Sequence, residues 1–306
     1  MSDAVIRAVI DTDPGLDDAV AILHALSSPA FDIVGIMTVA GNIGIDVTTR
    51  NAGRILAHAR RSDIPVVAGS AAPLSRAGFD TIDIHGDDGL GGVSFPEPAV
   101  PPHADAVEWL ADLLLRESAM SLTILALGPL TNIARLVLDH PEAAARMARL
   151  IVMGGAIDEP GNVGPRSEFN IAADPEAADI VFRAGIATVL VPLDVTRKVR
   201  ASRSWTAGLR ETGVPAAVAS ADLVDAYFQS SSGRESRPLH DPCVMLYAES
   251  PALFTLERLP IAVELETDDD VGALVIDDKD GVLLDVTMKV DADAALGLLA
   301  RRLSGG

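Results

Sequence analysis

Short apolar runs alternate with longer amphipathic stretches from residue 5 to residue 191. Val5–Ile10 stops at Asp11-Thr12-Asp13-Pro14-Gly15, the pattern of a buried strand delivering a loop. Asp17 to Leu26 has helical character and Pro29 punctuates its end. Ile33–Val39 is a second β-rich run, followed by Gly41-Asn42 and a helix over Val47–Arg60; Pro65–Ala68 predicts a third strand. The rhythm resumes with a helix at Ala104–Glu117, a strand at Leu122–Leu127 and a helix from Leu130 to about Asp139. A strand at Leu150–Met153, a helix at Pro175–Ala184 and a strand at Thr188–Val191 complete it. Such alternation predicts an α/β fold, an open, mostly parallel, Rossmann-like sheet flanked by helices.

Two stretches depart from that rhythm. Ala71 to His103 is rich in Gly, Pro and Asp and long for a connector, so it reads as a lid or binding loop or as a surface excursion. Ser202 to Ser250 looks mainly helical, with a break at Ser230-Ser231-Ser232-Gly233. Extra C-terminal strands are expected at Phe254–Leu265, Gly272–Ile276 and Val282–Val290, with Asp280-Gly281 as a hairpin signal and a last helix over Ala292–Leu303. There is no internal repeat and no low-complexity linker, so 1–306 is expected to be a single domain.

Composition narrows the function classes. A formal charge of −20 and few aromatic residues argue against nucleic acid as a partner, because phosphate contacts and base stacking carry that binding. No apolar run reaches membrane-spanning length, and Met1 to Arg7 does not open a signal peptide, so a cytoplasmic protein without membrane attachment is expected. Cys243, the single cysteine, excludes an intramolecular disulfide and reads as a small hydrophobe.

The chemistry concentrates at the end of the first strand. Asp11, Asp13, Asp17 and Asp18 fall within eight residues, and no Lys or Arg lies between Ala8 and Thr49. Crowded carboxylates raise one another's pKa unless a cation or hydrogen bonds compensate, and hard divalent cations take oxygen ligands. Asp17 and Asp18 also suit the first turn of a helix, where acids are favoured by the macrodipole.

Together with downstream motifs, this segment resembles the inosine–uridine-preferring nucleoside hydrolase family over nearly the whole chain. The motifs run in order: DTDPGLDDA from Asp11, VAGN at Val39–Asn42, IHGDDG at Ile84–Gly89, LGPLTN at Leu127–Asn132 and VMGG at Val152–Gly155. GNVGPRSEFNIAADPEA at Gly161–Ala177 and HDP at His240–Pro242 follow. The resemblance implies the nucleoside hydrolase fold and Ca²⁺-dependent release of ribose and a free base from ribonucleosides, a purine and pyrimidine salvage activity. It implies a Ca²⁺ ion held by Asp13, Asp18, the Leu127 carbonyl and Asp241, with Asp13 as general base on a metal-bound water. Asp17, Asn42, Asn162, Glu168 and Asn170 would bind the ribose, and His240 would protonate the leaving base. An oxocarbenium-like transition state is implied, as in glycoside hydrolysis.

Other readings stand beside these. Each Asn suits a turn or cap, and a lone His is often structural. His85, in the excursion, resembles a base-pocket residue or second acid. Phe169, Met153, Tyr227 and Phe228 are candidates for the base pocket, although Tyr227 and Phe228 also suit a core-facing helix. Neither Trp109 nor Trp205 sits in a recognised pocket motif, and the two histidines fit the inosine–uridine and cytidine–uridine branches better than the purine-specific one. Relatives form dimers or tetramers, so a homodimer or homotetramer is expected. One rival is a haloacid-dehalogenase-like Mg²⁺ phosphohydrolase, whose motif wants Thr where Pro14-Gly15 stands and a Lys, and no Lys precedes Lys198. The other is a ribose- or nucleoside-binding protein without turnover.

Overall fold

The computed structural model describes residues 5–229, 235–267 and 269–306. The break expected at residues 230–233 lies outside them. The alternation gives β1 (Ile6–Thr12), α1 (Leu16–Ser27), β2 (Phe31–Thr38), α2 (Ile45–His58) and β3 (Val66–Ala68). After the excursion, which holds only the short α3 (Ile82–His85), come α4 (Ala106–Arg116), β4 (Thr123–Ala126), α5 (Thr131–Asp139) and α6 (Pro141–Ala144). Next are β5 (Arg149–Met153), α7 (Phe169–Ala173), α8 (Pro175–Arg183), β6 (Thr188–Val191) and α9 (Leu193–Thr196).

The remainder is less regular. It comprises β7 (Arg200–Ser202), α10 (Arg203–Glu211), α11 (Pro215–Gln229), β8 (Ser236–Pro238) and α12 (Pro242–Glu249). The tail adds β9 (Phe254–Val263), β10 (Leu274–Ile276), β11 (Val282–Val290) and α13 (Ala292–Leu303). The stretch expected to be mainly helical therefore also carries a small antiparallel pair, β7 with β8. No helix among the described residues is long and apolar enough to cross a membrane.

One nine-stranded sheet runs in the order β10-β9-β11-β6-β5-β4-β1-β2-β3. From β11 to β3 neighbouring strands are parallel, and β9 is antiparallel to both its neighbours. Strand β1 is buried on both faces, which is why its sequence is nearly continuous apolar rather than alternating. Its Ala8 and Ile10 pack with α1, α11, α12 and α13 on one side, while Val9 packs with α4, α5 and α8 on the other. The chain winds outward from β1 through β2 and β3, then returns to place β4 on the other side. That reversal opens a crevice above the carboxyl ends of β1 and β4, where open α/β sheets bind ligands.

The Asp280-Gly281 expectation needs correction. The strands flanking this turn do not pair with each other; both pair with β9, Ile276 and Val282 each opposite Ile261. The turn carries the chain across β9, and a Cβ on Gly281 would lie 2.7 Å from the Pro260 carbonyl oxygen. Glycine is there to let two backbones cross, a requirement that looks like hairpin chemistry in sequence.

Two parallel helices, α1 and α12, carry Asp17, Asp18 and Asp241 at their starts, and their far ends are joined. His24 Nε2 meets Glu249 Oε2 at 2.9 Å, and Arg302 Nε of α13 donates to Glu249 Oε1 at 2.6 Å. The His24 and Glu249 side chains are 0% and 5% exposed. Burial opposes the Glu249 charge, but hydrogen bonds from His24 and Arg302 outweigh it and hold the carboxyl down at about 2. This stabilisation is complete above the ordinary glutamate value and is lost as pH falls toward 2. Glu249→Ala is expected to lower stability at pH 7 by about 3 kcal/mol, because a buried histidine and a partly buried arginine lose their acceptor. Urea unfolding of both proteins from pH 7 downward would test this, with the gap closing below about 4.5.

Candidate active site

The Asp13-Pro14-Gly15 turn follows β1 and lies at the reversal point of the sheet. Asp13 is fully buried, and its Oδ2 accepts the Asn42 backbone N–H at 2.7 Å. Its Oδ1 is buried without a hydrogen-bond partner. A Cβ on Gly41 or Gly128 would fall inside the Asp13 carboxylate. The glycines of the VAGN and LGPLTN motifs are therefore explained by close approach. Asn132 of the latter motif stitches three strand ends together: it donates to Asp11 Oδ1 at 2.8 Å and to the Thr38 carbonyl, and accepts from the Ser70 N–H.

Asp18 caps its own helix by accepting the Gly15 N–H at 3.0 Å, and also accepts from the Thr12 hydroxyl at 2.6 Å and Asn42 Nδ2 at 3.1 Å. Asp17, Asp18 and Asp241 offer carboxylate oxygens that all lie within 4.8 Å of one another. The sequence expectation grouped Asp13, Asp18 and Asp241 and gave Asp17 to the sugar; the cluster in the structure is Asp17 with Asp18 and Asp241, and Asp13 lies beside it, near enough for its charge to act on Asp241. All four are buried. Burial, then the neighbouring carboxylates, push Asp13, Asp18 and Asp241 above the ordinary aspartate range.

Burying several carboxylates together is costly unless a cation compensates them. The Leu127 carbonyl faces the same cavity, accepting one hydrogen bond from Asn170 Nδ2 at 2.6 Å and keeping a second lone pair. The orphaned Asp13 oxygen and an all-oxygen donor set fit a hard divalent cation.

The same cavity is lined by Asp17, Asn42, His85, Leu127, Met153, Asn162, Glu168, Phe169, Asn170, Tyr227, His240 and Asp241. Most of the expected site thus converges, and the hydrogen bonds decide what each polar group has left to offer. Asn162 Oδ1 accepts the Phe169 N–H, leaving its amide hydrogens for a ligand. Asn170 spends its Nδ2 on the Leu127 and Met153 carbonyls, leaving Oδ1. Glu168 Oε2 accepts from Gly155 and Ile171, leaving Oε1; burial raises its carboxyl to about 7. Asn42 spends both Nδ2 hydrogens on the Asp13 carbonyl and Asp18, so it can only accept.

His240 is partly exposed on the cavity wall. Its backbone N–H donates to Asp17 Oδ2 at 3.2 Å and its ring Nδ1 lies 2.8 Å from the Thr196 hydroxyl. Burial, then Arg197 and Arg200, push its pKa down to about 3, so the free imidazole is neutral at pH 7. His85 Nδ1 accepts the Leu16 N–H at 3.0 Å, which puts the ring proton of the neutral form on Nε2.

Phe228 is the expected pocket residue that does not join the others. It is buried in the core, with the Arg203 guanidinium 4.5 Å from its ring centre, because helix α11 turns Tyr227 toward the cavity and its neighbour away. Cys243 is buried, as a small core residue. Sequence reasoning missed Thr81 and Ile84, which line the cavity, and Phe79, whose ring meets Phe169 edge-on at 5.3 Å. All three lie in the excursion, where no periodicity distinguishes inward from outward side chains.

The family model described as inosine-uridine preferring nucleoside hydrolase matches residues 8–297. A pyrimidine-specific ribonucleoside hydrolase, RihA, of Salmonella newport (strain SL254) is 41% identical over 304 residues, spanning 96% of this chain and 97% of that protein. Among solved structures, a plant nucleoside hydrolase, the PpNRh1 enzyme, superposes with a TM-score of 0.91 at 30% identity, covering 98% of this chain and 99% of that one. A purine-preferring ribonucleoside hydrolase from Gardnerella vaginalis gives 0.91 and 30%, covering 98% of each chain. Sequence, sheet order and the convergence of distant aspartates agree, and the chain belongs to the inosine–uridine-preferring family of nucleoside hydrolases.

Proposed function

We propose that this protein hydrolyses the N-glycosidic bond of ribonucleosides with Ca²⁺ in the aspartate cluster, pyrimidine nucleosides ahead of purine ones. The observation that carries the reading is the meeting, in one cavity, of the acidic cluster with an array of unspent donors and acceptors suited to sugar hydroxyls. The pyrimidine preference rests on the 41% identity to a pyrimidine-specific relative, against 30% to the purine-preferring structure.

Asp13, Asp18, Asp241 and the Leu127 carbonyl would hold the ion. When bound, Ca²⁺ supplies positive charge that keeps the carboxylates ionised and orients oxygen ligands. Asp13, ionised, takes the proton of the water that attacks C1′. Asp17, Glu168 and Asn170 accept from the ribose hydroxyls, and Asn162 donates to one. Their carboxylates and amide oxygens also favour the positive charge that grows on the sugar as the bond to the base breaks. A deoxyribose would leave part of this array unpaired. The His240 ring, neutral in the free protein, would donate a hydrogen bond to the departing base; negative charge collecting on the base favours the imidazolium, which takes its proton from solvent and returns to neutral imidazole when it passes one to the base nitrogen.

Three outcomes are expected. Asp13→Asn should lower turnover of uridine by roughly 10²–10⁴-fold, read as reducing sugar released with and without a chelator. Substrate binding with no sugar release by the parent protein would instead favour a binding module. His240→Ala should slow uridine and inosine cleavage far more than cleavage of p-nitrophenyl riboside, whose leaving group needs no proton; equal losses would remove the His240 role. Glu168 holds its proton in the folded cation-free protein up to about 7, above its ordinary value, so its contribution to stability declines as pH rises through that window. Glu168→Gln should remove a decline on the order of 3 kcal/mol between pH 4.5 and 7. Urea titrations without metal would measure it, and parallel pH profiles for both proteins would count against it.

A further inference from the structure

Among the side chains that hold the excursion between β3 and α4 to the aspartate turn is Thr81, which the reaction scheme does not use. The Thr81 N–H donates to the Asn42 carbonyl at 3.0 Å, and the Thr81 hydroxyl donates to Asn42 Oδ1 at 2.9 Å. Asn42 in turn grips the cluster at three atoms. Its backbone N–H goes to Asp13 Oδ2 at 2.7 Å, and its amide hydrogens go to the Asp13 carbonyl at 3.2 Å and Asp18 Oδ2 at 3.1 Å. Among the described residues, the Thr81 hydroxyl is the side chain that holds the Oδ1 end of that amide.

An amide held at both ends is fixed in plane and rotation; one held only at its nitrogen can turn about its terminal torsion, which is soft. Freed at Oδ1, Asn42 would loosen its hold on Asp18 and the backbone of Asp13 together. The excursion has a second attachment to the same helix start, the His85 Nδ1 that accepts the Leu16 N–H. Farther along, Phe79 rests on Phe169, next to Glu168. The segment thus touches the cluster and the sugar-facing residues at once.

We propose that Thr81 is a positioning residue: through Asn42 its hydroxyl couples the docking of the 71–103 segment to the geometry of Asp13 and Asp18, so that each state favours the other. The inference rests on reading those aspartates as cation ligands. Coupling of this kind is reciprocal, so a cation that orders the aspartates also orders the segment, and loss of the link weakens both.

The experiment uses the full chain with Thr81→Val, which keeps the shape and removes the hydroxyl, and Thr81→Ser, which restores it. Ca²⁺ binding is measured by calorimetry, and amide hydrogen exchange of residues 79–92 is followed with and without Ca²⁺. Urea midpoints establish that each variant folds. In the parent, Ca²⁺ should slow exchange in the segment. Thr81→Val should bind Ca²⁺ about tenfold more weakly and lose most of that slowing, and Thr81→Ser should recover both. Parent-like Ca²⁺ affinity and protection in Thr81→Val would overturn the coupling, as would a Thr81→Ser protein that behaves like Thr81→Val. A parent that binds no Ca²⁺ would overturn the cation reading itself, and the coupling with it.

Discussion

The constraint on which this structure depends is the burial of several carboxylates in one small volume. Asp13, Asp17, Asp18 and Asp241 come from two places far apart in the chain and are buried near one another, with the His85 ring beside Asp17 and Asp18. Hydrogen bonds from Thr12, Gly15 and Asn42 satisfy Asp18 thoroughly, whereas one oxygen of Asp13 has no partner. That asymmetry matters chemically. An acid saturated with donors has its carboxylate fixed and its lone pairs committed, and one with an unpartnered oxygen still has a lone pair to give. The same turn provides both.

Much of the surrounding architecture follows from delivering that cluster. The sheet reverses direction beside β1, so the loops after β1, β2 and β4 open into one crevice. Gly41 and Gly128 let two of those loops close against Asp13, and Asn132 ties the strand ends below them. Helices α1 and α12 bring their starts to the cluster and are clamped at their far ends by His24, Glu249 and Arg302. A buried ion pair of this kind is weak evidence for net stability. Its position suggests a geometric role instead, since relative tilt of the two helices would move Asp241 away from Asp17 and Asp18.

The sheet and its helices were largely legible in the sequence because apolar periodicity reports directly on which faces are buried. Strand β11 and helix α13 fall on their expected bounds, Val282–Val290 and Ala292–Leu303. The Asp280-Gly281 turn was misleading because a glycine needed for crossing backbones looks the same as one needed for a tight turn. Within the site, motifs gave the identity of Asp18, Glu168, Asn170 and Asp241 but not what their atoms are spending. Asn42 could be recognised as a site residue, yet only the structure shows that its amide hydrogens are already committed. Phe228 and Tyr227 are adjacent on one helix, and sequence could not say which of them the helix turns inward. Thr81 and Phe79 carry no motif at all.

The division of the cavity into two ends follows from these same differences in origin. Asn162, Glu168 and Asn170 sit on the turn and short helix that follow β5, where hydrogen bonds to backbone groups leave little freedom. The rest of the cavity wall comes from the excursion and from helix α11: Ile84, His85 and Tyr227, with Phe169 beside Glu168. Neither tryptophan can stack on a base in this arrangement, since Trp109 packs over Gly35 under the sheet and Trp205 packs against the core. On the proposed function, discrimination among bases then comes from contact shape and single hydrogen bonds rather than from a broad indole face. Such contacts are worth little each, and the elements that make them are those least fixed by the sheet. On the proposed function, a fold that holds its aspartates and ribose groups rigidly while mounting its base contacts on a loop and a peripheral helix can change its preferred base without disturbing the chemistry at C1′.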